Sequence, residues 1–134
     1  MSARVEWDNY QRTVLRIDYG KEWTPQSSQE ASAKARELYK DVTHDLPIDV
    51  VLTLDNDCVV APEAAARLRK CAHERTRTRN LVLVCENHYI ENLFKIVTTV
   101  DPVAANVYIH AHTLDEAREI IASKGSAASR ACPH

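Results

Sequence analysis

Val50-Val51-Leu52-Thr53-Leu54 runs into Asp55-Asn56-Asp57-Cys58-Val59-Val60-Ala61 and then into Pro62-Glu63-Ala64-Ala65-Ala66. The first five residues are apolar except Thr53, the composition of a parallel strand covered on both faces. The polar residues that follow predict a loop. Pro62 predicts the first helical position, where a missing N–H leaves no intrahelical bond unmade. Strand, loop and helix in that order make half of a βαβ unit. In an open sheet of such units, ligands and partners are handled in the loops at the carboxyl ends of the strands. This loop, from Asp55 to Glu63, offers carboxylates and an amide but no Ser, Thr, Lys or glycine-rich turn. That points to binding or regulation rather than catalysis.

The same signature repeats outward from this stretch. Leu81 to Cys85 reads as a second buried strand, and from about Ile90 the residues Ile90, Leu93, Phe94, Val97 and Val100 follow helical spacing. Val107 to Ala111 predicts a strand with Val107, Ile109 and Ala111 inward and Tyr108 and His110 outward. Thr113 and Glu116 form a capping box ahead of a helix that turns Leu114, Ala117, Ile120 and Ile121 to the sheet.

Toward the amino terminus, Val5 to Trp7 and Val14 to Tyr19 read as two strands joined by the turn-prone Asp8-Asn9. In the second strand Leu15, Ile17 and Tyr19 alternate with Arg16 and Asp18, giving one buried and one wet face. Thr24 and Pro25 start a helix with the stripe Ala31, Ala35, Leu38, Tyr39 and Val42. The helix opening at Pro62 places Ala65, Leu68, Cys71 and Ala72 on one side. The expected fold is therefore α/β: a mostly parallel sheet of four to five strands, an antiparallel N-terminal edge pair, and helices on both faces. One domain spans residues 4–122, and the Ser-, Ala- and Gly-containing stretch 123–134 reads as a disordered tail.

Composition narrows the function. A chain of 134 residues, 45% hydrophobic, has the size of one domain with a real core. A net charge of −2 supplies no general field toward nucleic acid or anionic lipid. No apolar run approaches the roughly 18 residues of a membrane span. The opening residues lack the pattern of a secretory signal, and the four cysteines show no CxxC, so a cytoplasmic setting is expected. Cys71 and Cys85 read as small buried hydrophobes.

Candidate chemistry is sparse. Asp55, Asn56 and Asp57 resemble the first half of a calcium loop but lack its central Gly and distal Glu. His110 and His112 lie two apart on one strand face and could chelate a metal if a third ligand joined them, with His88 the residue considered. An exposed strand end beside a helix cap is the simpler reading, so no metal and no cofactor is expected. A hydrolase built on Cys58 and His88 would lack oxyanion-hole glycines in a chain with only two glycines. The basic stretch Arg67, Arg69, Lys70, Arg75, Arg77 and Arg79 could meet an acidic protein surface, a phosphoinositide-like headgroup or RNA. No aromatic residues interleave for base stacking, and a solvated face is favoured over nucleic acid.

Three local features together resemble the STAS domain, the fold of sulfate-transporter tails and anti-sigma-factor antagonists. They are the strand-loop-helix from Val50 to Ala66, the strand Asn80 to Cys85 leading into Ile90-Glu91-Asn92-Leu93-Phe94, and the ending Val107-Tyr108-Ile109-His110 with Thr113-Leu114-Asp115-Glu116-Ala117. Trp7-Asp8 and Trp23-Thr24 are more similar to a divergent bacterial group of STAS-like proteins. The antagonists carry a phosphorylatable Ser at the start of the second helix. The matching stretch here, Val60-Ala61-Pro62-Glu63-Ala64, has no hydroxyl, so the resemblance implies a regulatory, protein-binding module without that switch. Its expected contact residues are Asp57, Val59, Val60, Glu63, His88 and Tyr89, toward a protein partner or a second copy. A carrier of a small apolar ligand, with a CRAL-TRIO-like cleft under the third helix, is the alternative. An enclosed pocket there would favour a carrier, and a packed core an interaction module.

Overall fold

Asn9 closes the first turn. Its side-chain oxygen accepts from the backbone N–H groups of Thr13 (3.0 Å) and Val14 (3.1 Å), while Arg12 takes a left-handed φ of 58°. The side chain thereby satisfies backbone donors that a tight turn would otherwise leave unpaired. This sets β1 (Arg4–Trp7) antiparallel to β2 (Val14–Trp23), with Trp7 opposite Leu15.

The computed structural model describes the backbone of residues 3–60, 63–74 and 78–131, and the side chains of these except 59, 60, 74 and 124–131. After β2 come α1 (Pro25–Tyr39), β3 (Ile48–Val60), α2 (Ala64–Glu74), β4 (Thr78–Val84), α3 (His88–Val100), α4 (Pro102–Val107), β5 (Tyr108–Ala111) and α5 (Leu114–Ala131). The five strands lie side by side in chain order, and every pairing except β1 with β2 is parallel. This is the α/β class read from the sequence. The backbone of α5 continues past residue 122, where the sequence reading ends the domain, and residues 132–134 lie outside the described set.

The strands alternate between two cores. Leu15, Ile17, Val50, Leu52, Leu81 and Leu83 pack with Ala31 of α1, Ala64 and Leu68 of α2, Ile90 and Val97 of α3, and Ala104 and Val107 of α4. Val14, Val51, Val82, Val84 and Ala111 point the other way, onto Ala117 and Ile121 of α5. Four helices thus cover one face and α5 the other. The period of two along each strand sends neighbouring residues to opposite layers.

Several boundaries differ from the sequence reading, each for a physical reason. Asp55 to Cys58 is strand rather than loop. Past a register shift at Gly20 (φ 67°), β2 continues to Trp23 and pairs Glu22 with Val59 and Trp23 with Val60. Pairing with a longer neighbour overrides the low strand propensity of Asp and Asn. Tyr108 is buried rather than outward-facing, because α3 and α4 roof that face; its hydroxyl donates to the Leu68 carbonyl at 2.7 Å. Val107 ends the short helix α4, which Asp101 caps by accepting from the N–H groups of Val103 and Ala104. Cys71 is exposed, since the buried arc of α2 runs through Ala64, Leu68 and Ala72, while Cys85 is buried as expected. The helix start expected at Pro62 falls outside the described residues, and α2 is assigned from Ala64.

Candidate functional site

The carboxyl ends of β3, β4 and β5 converge on the first turn of α3. Asn56, exposed on β3 just past its pairing with β4, ties that strand to the start of the helix that follows β4. Its side-chain oxygen accepts from the backbone N–H of Glu86 (3.2 Å), and its carbonyl accepts from the Asn87 side-chain amide (2.8 Å). Asn87 is the N-cap of α3, accepting from the N–H groups of Tyr89 (2.9 Å) and Ile90 (3.2 Å). Such a cap supplies acceptors for N–H groups that a helix start leaves unpaired. The helix is therefore anchored where it emerges from the sheet.

From that first turn Glu91 reaches toward β5. Its Oε1 stands 3.5 Å from His110 Nε2 and 3.6 Å from His112 Nε2, and its Oε2 stands 3.3 Å from His88 Nδ1. His110 on β5 and His112 just past its end lie side by side, as their spacing predicts, with ring centroids 4.9 Å apart. His110 is wedged between Phe94 and His112, and its Nε2 donates to the Cys85 carbonyl at 3.0 Å. His112 Nδ1 faces Glu116 of α5 at 3.6 Å. One ligand atom from each of Glu91, His110 and His112 fits within 4.8 Å of the others. The third donor is thus Glu91, a residue the sequence reading assigned no role. Only the packing of α3 against β5 brings it there, although its place in the first turn of a helix, where a carboxylate suits the dipole, was a signal. His88, the third donor considered from the sequence, is almost wholly exposed and meets the cluster only through Glu91.

The exposed surface of α3 carries an apolar stripe. Tyr89, Ile96 and Val100 are 61%, 60% and 64% exposed, and half-buried Leu93 stands between them in the sequence. The steps of four, three and four place these residues on one stripe. The inner face is packed: Ile90 and Val97 are buried, and Phe94 meets the ring of Tyr108 edge-on at 5.7 Å between centroids.

The remaining expected contact residues divide. Asp57 is exposed and paired with Lys21 at 3.0 Å, which pulls its carboxyl below the usual range. Glu63 is exposed and lines a groove of about 430 Å³ between α1 and α2 together with Arg36, Arg67 and Lys70. The side chains of Val59 and Val60 lie outside the described residues, as do Arg75 and Arg77. The basic stretch is not one patch. Arg67 and Lys70 face the groove, Arg69 joins His73 on the buried carboxylate of Asp101 (2.9 Å each), and Arg79 grips buried Asp49 through two bonds of 3.1 and 2.7 Å. Sequence reading passed over Asp49 and Asp101, because nothing local marks a carboxylate as buried. Cys58 is buried, and desolvation pushes its thiol up to about 11.

Comparison with models of known protein families, with curated proteins and with solved structures finds no match to this chain. Among the described residues no helix is long and apolar enough to cross a membrane.

Proposed function

We propose that this chain is a STAS-like, non-catalytic regulatory module that acts by protein–protein contact, with the outer stripe of α3 as its contact surface and a second copy as the occupant. The observation that carries this reading is the stripe Tyr89, Leu93, Ile96 and Val100, three of whose members stand more than half exposed. Alternating steps of four and three are the seam pattern of one helix packed along another. The positions flanking the seam, Asn92 and Thr99, are uncharged, so two copies would meet without like charges opposed. Burying such a side chain contributes roughly 1–2 kcal/mol, and six in a symmetric pair on the order of 10 kcal/mol. Association itself costs about 4 kcal/mol or more, which makes the expected dimer no tighter than about micromolar.

Other features support the non-catalytic part. The Cys58 thiol, the nucleophile considered from the sequence, is desolvated and held protonated at neutral pH. The stretch that would carry a regulatory phosphoserine has no hydroxyl. The packed inner face of α3 favours an interaction module over an apolar-ligand carrier. Hydrogen exchange at low and high protein concentration tests the reading: residues 88–100 should exchange more slowly in the concentrated sample. Slowing confined to β1 or to the α1–α2 groove, or none at all, would sink it.

A further inference from the structure

We infer that Glu91, His110 and His112 form a binding site for a divalent transition-metal ion of the zinc class, pinning the first turn of α3 to the end of β5. The inference stands apart from the dimer reading and rests on the geometry of the three donors. A tetrahedral ion with bonds of about 2.0–2.1 Å holds its ligand atoms roughly 3.4 Å apart. The same oxygen of Glu91 stands 3.5 and 3.6 Å from a nitrogen of each histidine, close to that spacing before any adjustment. Two imidazoles and one carboxylate are a donor set that suits zinc, cobalt or iron(II) rather than calcium or magnesium.

The surroundings fit as well. The two nitrogens of His112 face different carboxylates: Nε2 looks toward Glu91 and Nδ1 toward Glu116, each at 3.6 Å. A carboxylate behind a metal-bound imidazole fixes its tautomer, with the proton on the far nitrogen and the lone pair toward the ion. Glu116 is placed for that by its helix start, where its N–H donates to Thr113 Oγ1 at 3.1 Å. His110 is held by Phe94 and by the Cys85 carbonyl. Its Nε2 must give up the hydrogen bond to that carbonyl when it takes the ion, the ring proton moving to Nδ1. Metal binding should weaken as pH falls, because protons compete with the ion for the imidazole nitrogens and the carboxylate. His88 on Glu91 Oε2 and the Cys85 sulfur, 4.0 Å from His110 Nε2, complete the groups that face the site. With three protein donors, water fills the remaining coordination.

Calorimetric titration of the full chain with zinc chloride, repeated with cobalt chloride by absorption, tests this. One equivalent should bind, with a cobalt spectrum of nitrogen and oxygen ligands and no thiolate charge-transfer band. His112→Ala, at an exposed side chain whose loss does not threaten folding, should weaken binding roughly 100-fold or more, and Glu116→Gln on the order of 10-fold. Glu91→Gln should behave like His112→Ala, and its circular dichroism checks that the fold is kept. Cys71→Ser should change nothing. No saturable binding by the wild type, binding that survives both His112→Ala and Glu91→Gln, or binding lost in Cys71→Ser instead would each overturn the site.

Discussion

Asp101 shows how one residue can hold three elements and leave no trace in the sequence. One of its oxygens caps α4, and the other takes Arg69 and His73 of α2, so a carboxylate 2% exposed sits where α2, α3 and α4 meet. Arg69 and then His73 hold its carboxyl well below the usual carboxylate range. A depressed carboxylate contributes stability that is present above its unfolded pKa, about 3.9, and lost as pH falls through the lower folded value. Asp101→Asn should therefore lower the urea midpoint at neutral pH with an unchanged slope, and the gap from wild type should close below about pH 4. A gap that stays constant down to pH 2 would contradict this. Gly20 makes a second residue-scale case. A side chain there would meet no neighbour within 4 Å, so only its φ of 67° requires glycine. Gly20→Ala should cost about 1 kcal/mol, measured as a lower melting temperature, through backbone strain alone. Neither role was legible: burial partners and positive φ arise from chain segments distant in sequence.

Among the elements, periodic patterns were the legible part. The alternation Leu15, Ile17, Tyr19, the Thr24-Pro25 helix start, the spacing within α5 and that of α3 as far as Val97 appear as read, because each depends on residues within a few positions. Thr24 accepts from Ser27 N–H at 3.1 Å, as its cap position demands. What failed was local polarity as a mark of loops. Asp55, Asn56 and Asp57 belong to β3 because β2 runs on beside it, and α4 was overlooked because six residues give too little pattern. The start of α3 matters most, since it carries the anchor, the carboxylate that meets the histidine pair and the first residue of the stripe together. Asn87→Ala should remove the cap and cost about 1 kcal/mol, seen as a lower urea midpoint. It should also speed hydrogen exchange at Tyr89 and Ile90. Unchanged exchange at these amides would show that the cap does not hold the helix.

For the whole molecule, strand order follows chain order, four helices roof one face, and α5 closes the other through Arg118, which grips Asp8 with bonds of 2.8 and 2.9 Å. The fold class could be read from strand and helix alternation because that alternation dictates layers. The site could be read only in part. His110 and His112 were visible as a pair, and Tyr89 as a contact residue, yet Glu91 joins them only when α3 packs on β5. The apolar stripe was hidden in the same way: Val100 fits the spacing of Ile90, Leu93, Phe94 and Val97, yet it is exposed and aligns with Ile96 instead. In the proposed dimer, α3 pairs two copies of the chain through this stripe. Sedimentation equilibrium of the wild type and of Ile96→Glu, from about one to several hundred micromolar to bracket the expected affinity, tests it most directly. The wild type should show a monomer–dimer equilibrium, and Ile96→Glu should stay a folded monomer at every concentration. A wild type that stays monomeric throughout, or a variant that dimerises as well as the wild type, would contradict it.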